Sequence, residues 1–226
     1  MATLIFLCVD GSSSHGDIKR ALLEACTRRN VPYGSSTLAY SKSAAVPIRK
    51  YFEKIKTLVA ANGGHPDALA LFIIGKSLGG AKMYRFLHDK ADYLKQFAKV
   101  AAALVDPHEP LVPGNTGELD RWYDYVHFSD SKSNLTWWNE QWGAAADQSL
   151  KTSRMRFFSI NQRNGWPKGY SMKNAYDYVC LTGKKVIRGS NGNQEEADHW
   201  NIAWCDKTVE QMVAAIDFLQ EKTPVI

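Results

Sequence analysis

The fold is decided by one stretch, which reads Leu69-Ala70-Leu71-Phe72-Ile73-Ile74-Gly75-Lys76-Ser77-Leu78-Gly79-Gly80. It begins with six consecutive apolar residues, which are typical of a strand that is covered on both faces. Glycines then flank a lysine and a serine, and apolar residues recur at helical spacing from Ala81 to Leu87. The stretch therefore predicts a buried strand, a sharp turn and a helix.

The turn carries its serine in the pattern Gly-x-Ser-x-Gly, formed by residues 75–79. In this pattern the serine occupies a strained turn between a strand and a helix, so that its hydroxyl stands clear of the backbone. The start of the helix adds free N–H groups and the positive end of the helix dipole. The pattern favours a nucleophilic serine, although a glycine-rich turn without chemistry fits the same residues.

Gly75-Lys76-Ser77 is also similar to the end of a phosphate-binding loop. That loop would require a glycine at position 70 and a flexible chain leading to Gly75. Position 70 is an alanine, and residues 70–74 read as a strand. Phosphate binding is therefore the weaker interpretation of this turn.

Strands and helices alternate along the rest of the chain. Apolar runs predict strands over 3–9, 35–40, 69–74, 99–105, 154–160 and 184–187, and helical periodicity predicts helices over about 17–29, 46–62, 81–89 and 206–221. Such alternation is typical of a parallel sheet with helices on both faces. We predict a single domain over residues 1–226, a three-layer α/β/α sandwich whose mostly parallel sheet has about six strands.

Residues 107–153 form the longest segment without a clear strand pattern. Their aromatic side chains include Trp122, Tyr123, Tyr125, Trp137, Trp138 and Trp142. We predict that this segment is a cap or lid insertion that lines a site for an apolar acyl group. Plain packing of these side chains against the flank of the domain is an equally good interpretation.

The composition excludes several classes of protein. The chain is 45% hydrophobic and 23% charged, as in ordinary globular proteins. Its net charge of +5 is scattered, so we expect no nucleic-acid partner. The first residues lack the basic start of a signal peptide, and no apolar run is long enough to cross a membrane. We therefore expect a cytoplasmic protein without stable membrane insertion, and the sequence makes no prediction of its oligomeric state.

The four cysteines have neither CxxC spacing nor zinc-ligand spacing. We therefore expect buried, reduced thiols and no metal site.

Catalytic groups of a parallel sheet gather at the carboxyl ends of its strands. Ser77 follows the third predicted strand, Asp106 follows the fourth, and His199 lies in the loop before the last helix. A serine hydroxyl needs a histidine to take its proton, and a carboxylate to orient that histidine and to stabilise its cation. We therefore predict Ser77 as nucleophile, His199 as base and Asp106 as acid, an order along the chain that suits this architecture.

Other residues fit these roles less well. The remaining histidines lie at predicted helix ends, in the first loop or too early in chain order for the base, and they are His15, His65, His88, His108 and His127. Asp130 is the alternative acid if residues 125–129 form a strand. Residues 161–164 hold no carboxylate, and Asp198 is too close to His199 in sequence to orient its ring.

These motifs resemble those of the α/β-hydrolase superfamily, and of its lipases and esterases in particular. Residues 75–80 are similar to the nucleophile elbow of that family, residues 103–107 to its acid-bearing strand end, and residues 198–202 to its histidine segment. The resemblance spans nearly the whole chain in order. It implies a reduced version of the fold, because the chain begins at what would be the third strand of the full sheet.

The resemblance also implies an oxyanion hole. One donor would be the backbone N–H of Leu78, and the other would come from the first loop, at Gly11 or Ser12. The chain departs from the family at Asp10, where a histidine is common before the glycine.

We therefore expect a serine esterase or lipase that cleaves a small-molecule acyl ester through an acyl-enzyme intermediate, without a metal or an organic cofactor. A thioesterase or a peptidase would use the same three residues, and a non-catalytic binding protein would keep the fold without the reaction. For Lys76, a solvated surface position is favoured over one that leans across the site.

Overall fold

A computed structural model describes residues 2–11, 17–44, 46–107, 153–162, 164, 177–183, 185–188 and 193–221. Its sheet strands are β1 (Thr3–Val9), β2 (Leu38–Ser41), β3 (Leu69–Lys76), β4 (Lys99–Val105), β5 (Met155–Gln162) and β6 (Asp177–Leu181). Two further strands are β7 (Lys185–Arg188) and β8 (Asn193–Glu196). The helices are α1 (Asp17–Arg28), α2 (Ile48–Ala61), α3 (Leu78–Asp89), α4 (Ala91–Leu94) and α5 (Asp206–Gln220).

Three predicted features lie outside the described residues. They are the first-loop residue Ser12, the alternative acid Asp130, and the candidate cap over 107–153 apart from its ends Pro107 and Ser153.

The six sheet strands form one parallel sheet in the order β2-β1-β3-β4-β5-β6. From β1 the chain moves to one edge of the sheet, and from β3 onward it moves toward the other edge. The ends of β1 and β3 are neighbours, with Val9 opposite Gly75. They border the point where the strand order reverses, and open α/β sheets bind their ligands at such a point.

Helices cover both faces of the sheet. The helices α2 and α3 pack on one face, against residues such as Leu71 and Ile73 of β3. On the other face, α1 and α5 lie side by side against the intervening residues, such as Phe72 and Ile74. Because successive side chains of a strand point to opposite faces, one continuous apolar run fills two cores. The predicted three-layer sandwich with a parallel sheet of six strands is confirmed.

The prediction of the last sheet strand is wrong. The sheet ends with β6, which pairs with β5, whereas the segment predicted at 184–187 corresponds to β7. Strand β7 pairs antiparallel with β8 in a separate two-stranded sheet. A short apolar pattern indicates a strand but not its partner, and β7 pairs with the next strand along the chain and not with the parallel sheet.

Strand β2 begins later than its predicted start at residue 35. The N–H groups of Thr37 and Leu38 both donate to the carbonyl oxygen of Gly34, at 3.0 and 2.8 Å. This turn occupies the backbone groups that a strand would use for its ladder. The strand therefore runs only from Leu38 to Ser41.

All four cysteines are free thiols. Three are buried as predicted, and the expectation is wrong for Cys180, which is exposed. None of the helices in the described part of the chain is long and apolar enough to cross a membrane.

Candidate active site

Ser77 occupies the turn between β3 and α3. Its φ of 57° lies in the left-handed region, which is strained for a residue with a side chain and persists only where the surroundings enforce it. The Ser77 N–H donates to the carbonyl oxygen of Val105 at 2.9 Å and so ties the turn to the end of β4. This is the backbone geometry that the Gly-x-Ser-x-Gly pattern predicts.

The glycines around Ser77 allow this turn to pack. A Cβ atom on Gly75 would lie 2.6 Å from the Gly79 carbonyl oxygen, and one on Gly79 would lie 2.5 Å from the Val9 carbonyl oxygen. Neither position accepts a side chain unless the backbone moves, because atoms repel steeply at these separations. The close approach of α3 to the end of β1 therefore depends on glycine. We call residues 75–80 the elbow.

Asp106 directly follows β4 and is completely buried. Its N–H donates to the carbonyl oxygen of Ile160 at 2.6 Å. Its carboxylate accepts two hydrogen bonds from Gln162, from the backbone N–H to Oδ1 (3.1 Å) and from Nε2 to Oδ2 (3.2 Å). A carboxylate buried this deeply needs such donors to offset its lost hydration.

His199 joins Asp106 to Ser77. Its Nδ1 is 2.6 Å from Asp106 Oδ2, and its Nε2 is 3.0 Å from Ser77 Oγ. An ionised carboxylate can only accept, so the network assigns the proton of the neutral ring to Nδ1 and leaves Nε2 to accept from the serine hydroxyl. The three predicted side chains, all buried, thus form one hydrogen-bonded network of the kind that takes a proton from serine.

A tight turn of residues 196–201, which we call the histidine turn, holds His199 in place. Asp198 Oδ1 accepts hydrogen bonds from the N–H groups of Trp200 (2.8 Å) and Asn201 (2.9 Å). The buried Asn201 accepts from the Asp198 N–H at 2.8 Å and donates through Nδ2 to the Glu196 carbonyl oxygen at 2.9 Å. Asp198 therefore shapes the backbone of the turn, while Asp106 contacts the imidazole ring.

The expected surface position of Lys76 is wrong. Only 7% of the residue is exposed, and its Nζ donates to the Trp200 carbonyl oxygen at 3.3 Å. The physical reason is that β3 continues through Lys76, so this residue belongs to the buried sheet edge and not to the exposed turn. The lysine connects the elbow to the histidine turn.

Gln162 is a site residue that the sequence did not reveal. It lies at the end of β5, and β5 pairs with β4 so that Val105 is opposite Ile160. Its amide therefore lies beside the Asp106 carboxylate. The amide itself could have indicated this role, since a polar side chain at the end of a buried strand beside β4 is a candidate hydrogen-bond donor to Asp106.

The donors expected for an oxyanion hole lie on two elements. Leu78 is the first residue of α3, and the first N–H groups of a helix have no partner within it. Gly11 follows β1 and approaches the nucleophile closely, because a Cβ atom placed on it would lie 2.9 Å from Ser77 Oγ. Gly11, after β1, and Leu78, after β3, thus both lie beside Ser77 at the point where the strand order reverses.

Residues next to Gly11 have structural roles. The buried Asp10 accepts a hydrogen bond from the Tyr40 hydroxyl at 3.0 Å. Burial raises the pKa of the Cys8 thiol well above its usual range, and the Asp10 charge raises it further. Both effects favour the protonated thiol over the reactive thiolate.

In the described part of the chain, no group of three or more His, Cys, Asp or Glu residues is arranged to hold a metal ion.

Comparison with known proteins identifies the fold. No protein-family model matches the sequence, and no curated protein matches it. Est1E from Butyrivibrio proteoclasticus has a similar structure, with a TM-score of 0.51 and 10% identity over 98% of this chain and 90% of that chain. The product of the gene lin2722 from Listeria innocua has a TM-score of 0.51 and 11% identity, over 98% of this chain and 96% of that one.

The fold is α/β-hydrolase-like. The two alignments span nearly the whole of each chain, and the parallel sheet with helices on both faces agrees with them. At this level of identity the similarity establishes the fold and leaves the chemistry to the site.

Proposed function

We propose that this α/β-hydrolase-like protein is a serine hydrolase that cleaves carboxylic esters. One observation carries the proposal, namely the continuous hydrogen-bonded path from Asp106 through His199 to Ser77. The path ends at a strained turn beside a helix start, where a nucleophilic hydroxyl is expected. Burial of a carboxylate and two polar side chains costs folding free energy, which their hydrogen bonds to one another offset. The resulting arrangement suits proton transfer from serine.

In the proposed first step, Ser77 Oγ forms a bond to the ester carbonyl carbon while its proton moves to His199 Nε2. Asp106 stabilises the imidazolium that results. The tetrahedral intermediate then breaks the bond to the alcohol oxygen, which takes the proton from Nε2 and leaves as the alcohol. A water molecule cleaves the acyl-enzyme by the same route, giving the carboxylic acid and free Ser77.

The negative charge on the carbonyl oxygen needs donors that are already in place. We assign this role to the Leu78 N–H and to one N–H of the first loop, at Gly11 or Ser12. The position of Leu78 at the start of α3 supports the first assignment. The close approach of Gly11 to Ser77, where an added Cβ atom would lie 2.9 Å from Oγ, supports a donor in the first loop.

A fluorophosphonate probe and a p-nitrophenyl ester test the proposal directly. We expect the probe to label Ser77 and the Ser77→Ala variant to lose both labelling and ester turnover. Ser35→Ala is the matched control, because Ser35 is exposed and lies outside the site. Turnover that persists in the Ser77→Ala variant would contradict the proposed nucleophile, and a folded wild-type protein that the probe does not label would favour ligand binding without catalysis.

Thioesters and amides are the alternative substrates for the same three residues. A panel with one acyl group on an alcohol, a thiol and an amine separates them. We expect the highest kcat/KM for the ester. A thioester or an amide that exceeds it would reassign the substrate class while leaving the nucleophile unchanged.

A further inference from the structure

Trp200 stands out because it is apolar, large and exposed. It has 48% of its surface exposed, and the only other large hydrophobic residue of the described ranges with comparable exposure is Tyr33, at 46%. Exposed aromatic side chains at a site often serve recognition, because they offer much apolar area with few rotatable bonds. Trp200 directly follows His199, and their rings meet edge to face, with centroids 5.5 Å apart and an interplanar angle of 83°.

The backbone of Trp200 is fixed on both sides. Its N–H donates to Asp198 Oδ1 at 2.8 Å, and its carbonyl oxygen accepts from Lys76 Nζ at 3.3 Å. The lysine is buried within the elbow, so this second contact joins the tryptophan to the nucleophile turn. The indole therefore belongs to a turn whose backbone is fixed by hydrogen bonds, and these bonds hold it in its exposed position.

The chemistry of the proposed reaction places one part of the ester beside this ring. His199 Nε2 must deliver its proton to the alcohol oxygen as the bond to the acyl carbon breaks. The alcohol oxygen then lies within hydrogen-bond distance of Nε2. Since the indole packs against the same imidazole, a bulky group on that oxygen comes to lie near Trp200.

We propose that Trp200 determines specificity for the alcohol part of the substrate and favours esters of apolar or aromatic alcohols. The inference rests on the proposed serine-hydrolase function. It concerns the acylation step alone, because the alcohol has departed before water cleaves the acyl-enzyme.

Two acetate esters with different alcohols test this inference, namely naphthyl acetate and trifluoroethyl acetate. Both give the same acetyl-enzyme, and their different leaving-group abilities cancel when wild type and variant are compared, so a change in the ratio of their kcat/KM values reports contacts with the alcohol. We expect Trp200→Ala to lower the ratio of naphthyl to trifluoroethyl ester by about fivefold, the size of one aromatic contact. Trp200→Phe should retain most of the ratio, and Tyr33→Ala is the matched exposed-aromatic control with an unchanged ratio.

The readouts separate this inference from the proposed function. The acetyl-enzyme is the same for both esters, so any effect of Trp200→Ala on deacylation does not alter the ratio of their kcat/KM values, and the fluorophosphonate should still label Ser77. If Trp200 merely orients His199, both esters slow equally and the unchanged ratio overturns the inference while labelling upholds the nucleophile. If wild-type protein neither hydrolyses the esters nor takes the label, the proposed function fails as well. Trp200→Gln, which keeps the side-chain length without the ring, provides the same comparison should the alanine variant not fold.

Discussion

The elbow and the histidine turn deliver their functional side chains by different physical means. In the elbow, backbone lies directly against backbone, so that a Cβ atom on Gly79 would lie 2.5 Å from the Val9 carbonyl oxygen. The histidine turn is held by side chains instead, with Asp198 and Asn201 bonding to main-chain groups on either side of His199. Ser77 is therefore positioned by steric fit and His199 by hydrogen bonds.

This difference predicts different costs for substitution. An added side chain in a close-packed core cannot be accommodated without displacing its neighbours, and this lowers the free energy of unfolding. The hydrogen bonds that Asp198 accepts are exposed or only partly buried, so water partly replaces them when the acceptor is removed and the stability changes little. The position of the base can still shift, and proton transfer is sensitive to small displacements.

The largest effect is expected at Asp106, which follows β4 and contacts the imidazole that the histidine turn presents to the elbow. Asp106→Asn replaces the carboxylate that accepts from His199 Nδ1 by an amide, which favours the wrong imidazole tautomer and leaves the imidazolium without a counter-charge. We expect kcat to fall by about 10⁴-fold. Steady-state kinetics on a p-nitrophenyl ester measures this, and urea unfolding verifies that the variant is folded.

Asp130→Asn is the matched control for the acid, and we expect its kcat to equal that of the wild-type protein. If Asp130→Asn loses activity while Asp106→Asn keeps it, the assignment of the acid is wrong.

The second effect concerns the close packing of the elbow. Gly79→Ala would place a Cβ atom against the backbone of β1, and neither the sheet nor the first turn of α3 can yield without loss of packing. We expect the free energy of unfolding to fall by about 3 kcal/mol, measured by urea denaturation. Gly34→Ala is the control, since no atom lies within 4 Å of an added Cβ. Equal stabilities of these two variants would show that the elbow is not a steric frame.

The same contrast explains what the sequence revealed. The elbow forms one continuous stretch with β3 and α3, so the strand, the turn and the helix could all be predicted from local pattern. Asp106 and His199 could be proposed because parallel strands bring their carboxyl ends together. The pairing of β6 with β5 depends on the packing of the whole sheet. Strand β8 is a polar run without a strand pattern, so local pattern did not reveal the hairpin of β7 and β8.

Burial of individual polar side chains was also beyond local pattern. Lys76 reads as a surface residue because lysine usually is one. Its burial follows from the length of β3 and from the hydrogen bond that its Nζ donates to the Trp200 carbonyl oxygen, 124 positions away along the chain. Gln162 was overlooked since an amide in a short polar run has many ordinary explanations, and only the register of β5 against β4 places it beside Asp106.

The third effect tests the histidine turn. Asp198→Ala removes the acceptor for the N–H groups of Trp200 and Asn201, so His199 loses its fixed orientation. We expect kcat/KM for a p-nitrophenyl ester to fall by about tenfold, with about 1 kcal/mol lost from the free energy of unfolding. Asp198→Asn is the control, because its amide oxygen accepts the same two bonds. A loss of stability as large as that of Gly79→Ala would remove the distinction between the two regions.

The smallest effect is expected at Lys76, which belongs to the elbow by sequence and to the histidine turn by contact. Lys76→Met keeps the length and the apolar stem but removes the donor to the Trp200 carbonyl oxygen. Replacing a buried charge by an apolar side chain is often neutral for stability, so we expect an unchanged midpoint of urea unfolding. The loosened turn should lower kcat/KM by about threefold, roughly what one modest hydrogen bond contributes. A stability loss of about 3 kcal/mol, of the size expected for overpacking at Gly79, would show that Lys76 contributes to the steric fit of the elbow. A loss of activity alone would show that it acts with the hydrogen bonds that hold His199.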